Sequence, residues 1–321
     1  MRILMIGGTR FVGWHITHAA LAAGHDVALL HRGSSGAQEF PEAEHILADR
    51  DGDLGVLSGR VFDAVIDVCA YRPVQVERLA AALDGSPRYV FVSSTSVYAP
   101  PAAPGFDESS PVLAVPEPVP DEVTDVTYGP LKVACERAAY RLFGPSTLVV
   151  RPTYVVGPRD RLARFDYWVR RIADGGEVLA PGDPDTPMQL IDVRDLGTFT
   201  VGLLGRVDGG TFHAVSPAPP FTFGAMLDAI VAAVGPAGTS LRWVPSAYLK
   251  ELGVTGDDLP LWTTDPDEAA VDTASPAAAE AAGLAPRPLA QTVRETLAAL
   301  DPATLTARLS RERERQILAG L

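Results

Sequence analysis

The chain opens MRILMIGGTRFVG, and its passage from apolar run to glycine pair to helical pattern constrains the fold more than any other feature. ILMI (3–6) has the character of a buried strand, and FVGWHITHAALAAG (11–24) that of a helix stopped by Gly24. A strand that breaks at Gly7 and enters a helix through Gly13 aims backbone N–H groups at one point. That arrangement suits the pyrophosphate of a dinucleotide. Gly7 permits the tight turn and Gly13 lets the helix lie close to the sheet. A glycine-rich loop alone says little; its place after the first strand of a βαβ series carries the weight. Arg10 stands where the glycine spacing calls for a third small residue.

The series continues. VALL (27–30), HIL (45–47), AVIDV (64–68) and YVFV (89–92) are short and apolar, as strands covered on both faces are, and VQVERLAAAL (74–83) is a helix between two of them. The pattern predicts an α/β fold, a doubly wound parallel sheet of the Rossmann type. A proline-rich stretch (99–126) precedes a helix from about Tyr128 to Leu142 and the strand TLVV (147–150). LIDV (190–193), a helix near RDLGTFTVGLLG and the strand TFHAV (211–215) are expected to return to the sheet. The dinucleotide-binding domain is thus assigned to 1–152 plus 187–216. A smaller, mostly helical substrate lobe is assigned to 153–186 plus 217–321. The tail SRERERQILAG, alternating in charge, is expected to be a solvated helical face.

Composition narrows the function. A net charge of −13 argues against nucleic acid and anionic membrane as partners, since phosphate binding needs concentrated Lys and Arg. Two cysteines without a CxxC pair, Cys69 and Cys135, suit a reducing compartment. MRILMI is too short for a leader or a membrane span, so a cytoplasmic location is expected. The six histidines lack ligand spacing with other donors, and no metal is expected. The partner implied is a small-molecule substrate, with a homodimer as the expected assembly.

Two places carry chemistry. The second strand ends in His31 and Arg32, where NAD-preferring folds tend to carry an acid for the ribose hydroxyls. An arginine there matches a 2′-phosphate, which favours NADP, with NAD the alternative. Arg10 joins Arg32 in this reading as a clamp, and Asp49 contacts the adenine side. In TYGPLK, Tyr128 and Lys132 lie i and i+4 on one helix face. Lysine occurs only at positions 132 and 250 against eight tyrosines, so a chance pairing has a probability of roughly 5%. Bringing a phenol of pKa ~10 to work near neutrality takes ~4 kcal/mol, and one ammonium at about 4 Å in an effective dielectric near 20 supplies ~4 kcal/mol. Lys132 is therefore expected to do most of the activation. In SSTSVY (93–98), Ser94 is the candidate hydroxyl for the substrate oxygen, with Thr95 beside it.

In order along the chain, GGTRFVG, SSTSVY, YGPLK, RPTYVVGP and LIDVRDL together resemble the extended short-chain dehydrogenase/reductase family, the NAD-dependent epimerase/dehydratase group. The GGTRF variant and FTFGAMLDAI…LRWVPSAYL resemble an isoflavone-reductase-like bacterial branch, and GGTRF also resembles chloroplast RNA-binding members of the fold. The resemblance implies Tyr128 as acid/base, Lys132 on the nicotinamide ribose and Ser94 as the catalytic hydroxyl. It implies that Gly7, Thr9, Arg10, Phe11, Val12 and Gly13 cradle the cofactor. Val68, Cys69 and Ala70 would flank it, and Pro152 and Val155 would lie by the nicotinamide. Nucleotide-sugar members typically have Asn where this chain has Tyr154 and often Arg where it has Met188, which argues against a nucleotide sugar. Tyr154, Arg164 and Trp168 are candidate substrate residues. Arg159, Arg161 and Arg164 together read as a solvated helical face rather than an anion site. The function expected is hydride transfer between NAD(P) and a carbonyl or carbinol of a small metabolite, through a Ser-Tyr-Lys triad. The alternatives are an epimerase or dehydratase, and a non-catalytic cofactor-sensing binding protein.

Overall fold

The computed structural model describes residues 1–34, 36, 38–100, 103–300 and 308–321; Pro101 and Ala102 of the proline-rich stretch lie outside the described residues. Eleven strands are described: β1 (Arg2–Ile6), β2 (Asp26–His31), β3 (Glu44–Leu47), β4 (Ala64–Asp67), β5 (Arg88–Val92), β6 (Leu148–Pro152), β7 (Tyr154–Val156), β8 (Glu177–Pro181), β9 (Leu190–Asp192), β10 (Gly210–Ala214) and β11 (Ser240–Val244). Seven of them form one parallel sheet in the order β10-β6-β5-β4-β1-β2-β3. Ile3 of β1 lies between Val27 of β2 and Ala64 of β4.

The middles of the central strands are apolar because both faces of the sheet are covered. On one face Ile3, Met5, Leu29 and Val90 pack against α1 (Phe11–Ala22) and α5 (Val193–Arg206). On the other, Leu4, Ile6, Val65 and Phe91 pack against α2 (Pro73–Ala82) and α3 (Asp125–Phe143). The period-two alternation of a strand puts successive side chains of β1 into two different cores. The chain runs outward from β1 to β3 and then restarts at β4 on the other side of β1. That reversal opens a crevice at the carboxyl ends of the strands, where open α/β sheets bind ligands.

A further core holds α4 (Arg164–Ala173), α6 (Phe223–Val234), β8 and β11 together with the helices Leu289–Ala299 and Arg311–Ala319. One element differs from the sequence reading and another goes beyond it. LIDV does not rejoin the sheet: β9 pairs with β7 in a separate ladder, because β6 already has β5 on one side and β10 on the other. The charged tail is a solvated helical face on one side, with Arg311, Glu312, Arg313, Arg315 and Gln316 exposed, but its other side is packed. Its Ile317 and Glu314 are each 2% exposed, and Glu314 meets the buried Arg171 of α4 at 2.7 Å. A guanidinium that far from water needs a carboxylate, and the tail delivers it.

Candidate active site

The glycine loop after β1 is shaped by contacts that leave no room for a side chain. Gly7 has φ +85°, and a Cβ on it would come within 2.8 Å of Cys69 Sγ; a Cβ on Gly13 would stand 2.0 Å from the Gly7 carbonyl oxygen. Arg10 needs no such freedom. It is the N-cap of α1 at φ −130°, an extended conformation open to any residue, so a glycine there is dispensable.

A cleft of about 490 Å³ runs from this loop along the strand ends. Gly7, Thr9, Arg10, Phe11, Val12 and Gly13 line it, as do His31 and Arg32 after β2, Asp49 after β3, and Val68 and Cys69 after β4. Most of the expected cofactor residues therefore share one cavity, and its tight glycine cradle fits a pyrophosphate. Ala70 is wholly buried and offers its carbonyl rather than its side chain. Pro152 closes β6 inside the protein, and Val155 is half-buried on β7.

Arg50, Asp51, Tyr71 and Gln75 also line the cleft and were not singled out by the sequence. Arg50 donates to both oxygens of Asp67 at 2.7 and 2.8 Å, and the Tyr89 hydroxyl donates to the same carboxylate at 2.9 Å. Burial works to raise the Asp67 carboxyl, but the charge and hydrogen bonds of Arg50 outweigh it and hold the group below the usual aspartate range. This pair ties the end of β3 to the end of β4 beneath the cleft.

α3 begins at Asp125, earlier than the pattern predicts, because Thr124 and Thr127 form a reciprocal cap: Thr127 N–H donates to Thr124 Oγ1 at 3.2 Å and Thr124 N–H to Thr127 Oγ1 at 2.8 Å. Tyr128 and Lys132 follow on one face. Ser94 follows β5, accepts from the Ser96 N–H at 3.1 Å and donates to Ser96 Oγ at 3.0 Å, on the side of the Tyr128 phenol. Burial pushes that phenol above its ordinary 10, while Ser94 and the charge of Arg164 pull it down. On balance the phenol stays above its ordinary value. Lys132, 2% exposed, donates to Ala70 O and Val92 O, both at 3.0 Å, and burial drives it below the ordinary lysine value. Its ammonium lies 4.6 Å from the Phe91 ring centre, 5.0 Å from Tyr71 and 5.9 Å from Tyr128.

Arg164 opens α4 and sits 4.9 Å over the ring of Tyr154, while Thr153 Oγ1 donates to Asp272 at 2.8 Å. Burial pushes the Asp272 carboxyl up to about 8. The three arginines do not form a solvated helical face. Arg159 precedes the helix, pairs with Glu39 at 2.5 Å and lies 4.3 Å over the Trp14 ring; it and Arg161 are exposed, and Arg164, the one on the helix, is half-buried. Two substrate candidates are inside. Thr95 is buried, and Trp168 is core, wholly unexposed, its indole N–H donating to Pro260 O at 2.6 Å. Trp168 was ambiguous in sequence because its neighbours on α4 are equally apolar. Met188, also buried, joins the same core.

Among the described residues no group of three or more His, Cys, Asp or Glu could hold a metal ion, and no helix is long and apolar enough to cross a membrane.

Comparison with known proteins agrees with this architecture. Residues 64–215 match the family model "NAD dependent epimerase/dehydratase family". The chloroplast stem-loop binding protein of 41 kDa b from Arabidopsis thaliana is 28% identical over 221 residues; the match covers 64% of this chain and 55% of the relative, so the chain spans about half the length of that protein. The UDP-glucuronic acid 4-epimerase from Bacillus cereus, solved with NAD, superposes with a TM-score of 0.66 at 16% identity over 93% of this chain and 96% of the other. The terminal R domain of the myxalamid PKS-NRPS pathway does so at 0.68 and 17% identity over 96% and 92%.

Proposed function

We propose, from the match of residues 64–215 to the NAD dependent epimerase/dehydratase family model, an NAD(P)-dependent oxidoreductase acting on a carbinol or carbonyl of a small metabolite. The observation that carries the reading is the convergence of Tyr128, Ser94 and Lys132 at the carboxyl end of the sheet, beside the glycine-rich cleft.

Gly7 and Gly13 would admit the pyrophosphate, and Arg10, His31 and Arg32 would meet the adenosine end. Lys132 would hold the ribose nearer the reaction, beside Val68 and Cys69. Bound there, a nicotinamide dinucleotide supplies the hydride chemistry. The chain's own task is the proton and the orientation. Ser94 would donate its one hydroxyl proton to the substrate oxygen, turning away from Ser96 Oγ to do so. Tyr128 passes the hydroxyl proton, helped by the positive charge of Arg164. Tyr154 and Arg164 face the substrate, and a group held by Arg164 carries negative charge or lone pairs. Arg10 and Arg32 favour NADP over NAD, since a guanidinium fork matches a 2′-phosphate.

A transient oxidation of the epimerase or dehydratase kind is the second reading, favoured by the family match. Tyr154 and Met188, in place of the residues typical of nucleotide-sugar members, argue against a nucleotide sugar. Stem-loop binding, named for the Arabidopsis relative, is opposed by this chain's charge of −13.

The test is a fluorescence titration with NADPH and NADH, followed by turnover on a panel of aldehydes, ketones and sugars. Tyr128→Phe should lower cofactor-dependent turnover by roughly 10²-fold or more with cofactor affinity retained. Turnover unaffected by that change on every substrate found sinks the mechanism and leaves a cofactor-sensing protein. Equal NADPH and NADH affinities, unchanged in Arg32→Ala, remove the NADP preference. NAD(H) retained through purification, with turnover needing none added, selects the epimerase or dehydratase form.

A further inference from the structure

The end of β2 carries a pair of imidazoles that the glycine cradle and the catalytic residues leave unexplained. The Gly33 N–H donates to His31 Nδ1 at 3.0 Å, so that nitrogen is the acceptor and the ring proton sits on Nε2. His31 Nε2 faces His45 Nδ1 at 2.8 Å, which makes His45 Nδ1 an acceptor in turn. His45 then carries its own proton on Nε2, aimed at Phe40 O at 3.2 Å. Every role is forced from the two ends, because a backbone N–H can only donate and a carbonyl can only accept. The rings meet edge to face, 5.1 Å apart, and His31 is 7% exposed.

The relay closes only while both imidazoles are neutral. A second proton on either ring sets one donor against another and breaks a link. What the relay pins is the turn Arg32, Gly33 and Ser34, with Gly33 at φ +75°, and all three residues line the dinucleotide cleft. Around it, among the described residues, Arg32 belongs to the turn itself and Arg10 comes from the glycine loop. Asp49, Arg50 and Asp51 come from beyond β3. Glu44 of β3 is engaged by Arg2 and Arg60.

We propose that His31 and His45 are positioning residues that latch the Arg32–Ser34 turn for the adenosine ribose end of the cofactor, so that preference for a 2′-phosphorylated dinucleotide requires both rings neutral. The proposal rests on the dinucleotide reading above. The sign follows from burial. Burial and the neighbouring His45 lower the His31 pKa from 6.5, so the latch is intact above that value and is lost as pH falls through the depressed one.

The discriminating variant is His31→Asn. An Asn accepts from the N–H two residues on, keeping the turn, and it does not titrate. NADPH and NADH are titrated by fluorescence into wild type and His31→Asn from pH 8 to pH 5.5. The 2′-phosphate's own protonation is common to both proteins and drops out of the comparison. The wild-type NADPH-to-NADH affinity ratio should fall about tenfold further than that of His31→Asn. Parallel pH dependence in the two proteins overturns the latch while leaving the cofactor reading intact. Failure of both nucleotides to bind wild type at pH 8 overturns the cofactor reading and the latch with it. Imidazole ¹⁵N–¹H correlation spectra of the nucleotide-free protein at pH 8 give an independent check. His31 should carry its proton on Nε2, and a proton on Nδ1 overturns the latch whatever the nucleotides do.

Discussion

At the scale of single residues, Gly13 is the position with least latitude. A methyl group there would stand 2.0 Å from the Gly7 carbonyl, and a backbone oxygen cannot swing aside as a flexible side chain can. Gly13→Ala must push α1 off the glycine loop, which as an overpacking change costs about 1–3 kcal/mol. The expected result is a fall in melting temperature of roughly 2–5 °C with loss of NADPH binding, read by calorimetry and fluorescence titration. Gly24→Ala, at φ +78° but with open space around it, should lower stability and leave binding unchanged. Gly13 was legible in the sequence because its requirement is local: a strand, a turn and a helix within thirteen residues. Tyr128 and Lys132 were legible for the same reason, one helical turn apart. Thr153 and Asp272 were not, since 119 residues separate them and nothing in either neighbourhood announces the other. Arg50 was hidden likewise, its partner Asp67 lying on the far side of a crossover.

Elements are where charge patterning fell short. Alternating signs in SRERER suggest a solvated helical face, but an amphipathic test on so short a segment cannot tell a solvated glutamate from one serving a buried arginine. In the fold, Glu314 receives Arg171 Nε and also the Leu179 N–H at 2.9 Å, while Arg171 reaches on to Gly175 O and Glu177 O. The helix Arg311–Ala319 is thereby pinned to α4 and to β8 at once. Removing one partner of a buried pair strands the other, at about 3–5 kcal/mol. Glu314→Ala should therefore destabilise by about that amount in urea unfolding. Glu314→Gln should lose less, because its amide oxygen still accepts from Leu179. Equal losses in the two variants would show that the charge alone matters. The LIDV segment misled in another way: a strand pattern announces pairing but not a partner, and β9 found β7.

For the molecule as a whole, the balance of buried titratable groups sets how stability changes with pH. Burial pushes the Asp272 carboxyl up to about 8, and burial with the neighbouring Asp160 pushes Asp166 up to about 7, both from an ordinary 3.8. A group raised in the folded state contributes stability that is full below its unfolded pKa and lost as pH rises through the folded one. For these two the window runs from about 4 to about 7 or 8. His15 acts in the opposite sense: burial lowers it from 6.5 to about 4, so its contribution is present above 6.5 and lost as pH falls. Between about 4 and 6.5 the two trends oppose each other. Above 6.5 the histidine has nothing more to add and the carboxyls act alone. Stability should therefore decline from pH 6.5 to 8, and for Asp272 the loss is on the order of 2 kcal/mol. Asp272→Asn should flatten that decline in thermal unfolding and leave the melting temperature at pH 4 close to wild type. Asp166→Asn should act chiefly below pH 7. Asp272 also adjoins Thr153, beside Tyr154, which is proposed to face the substrate, so on that proposal its variant should alter turnover where Asp166→Asn does not. An unchanged alkaline slope in Asp272→Asn would mean that the carboxyl is already ionised in the folded protein, held by Arg164 rather than kept neutral by burial.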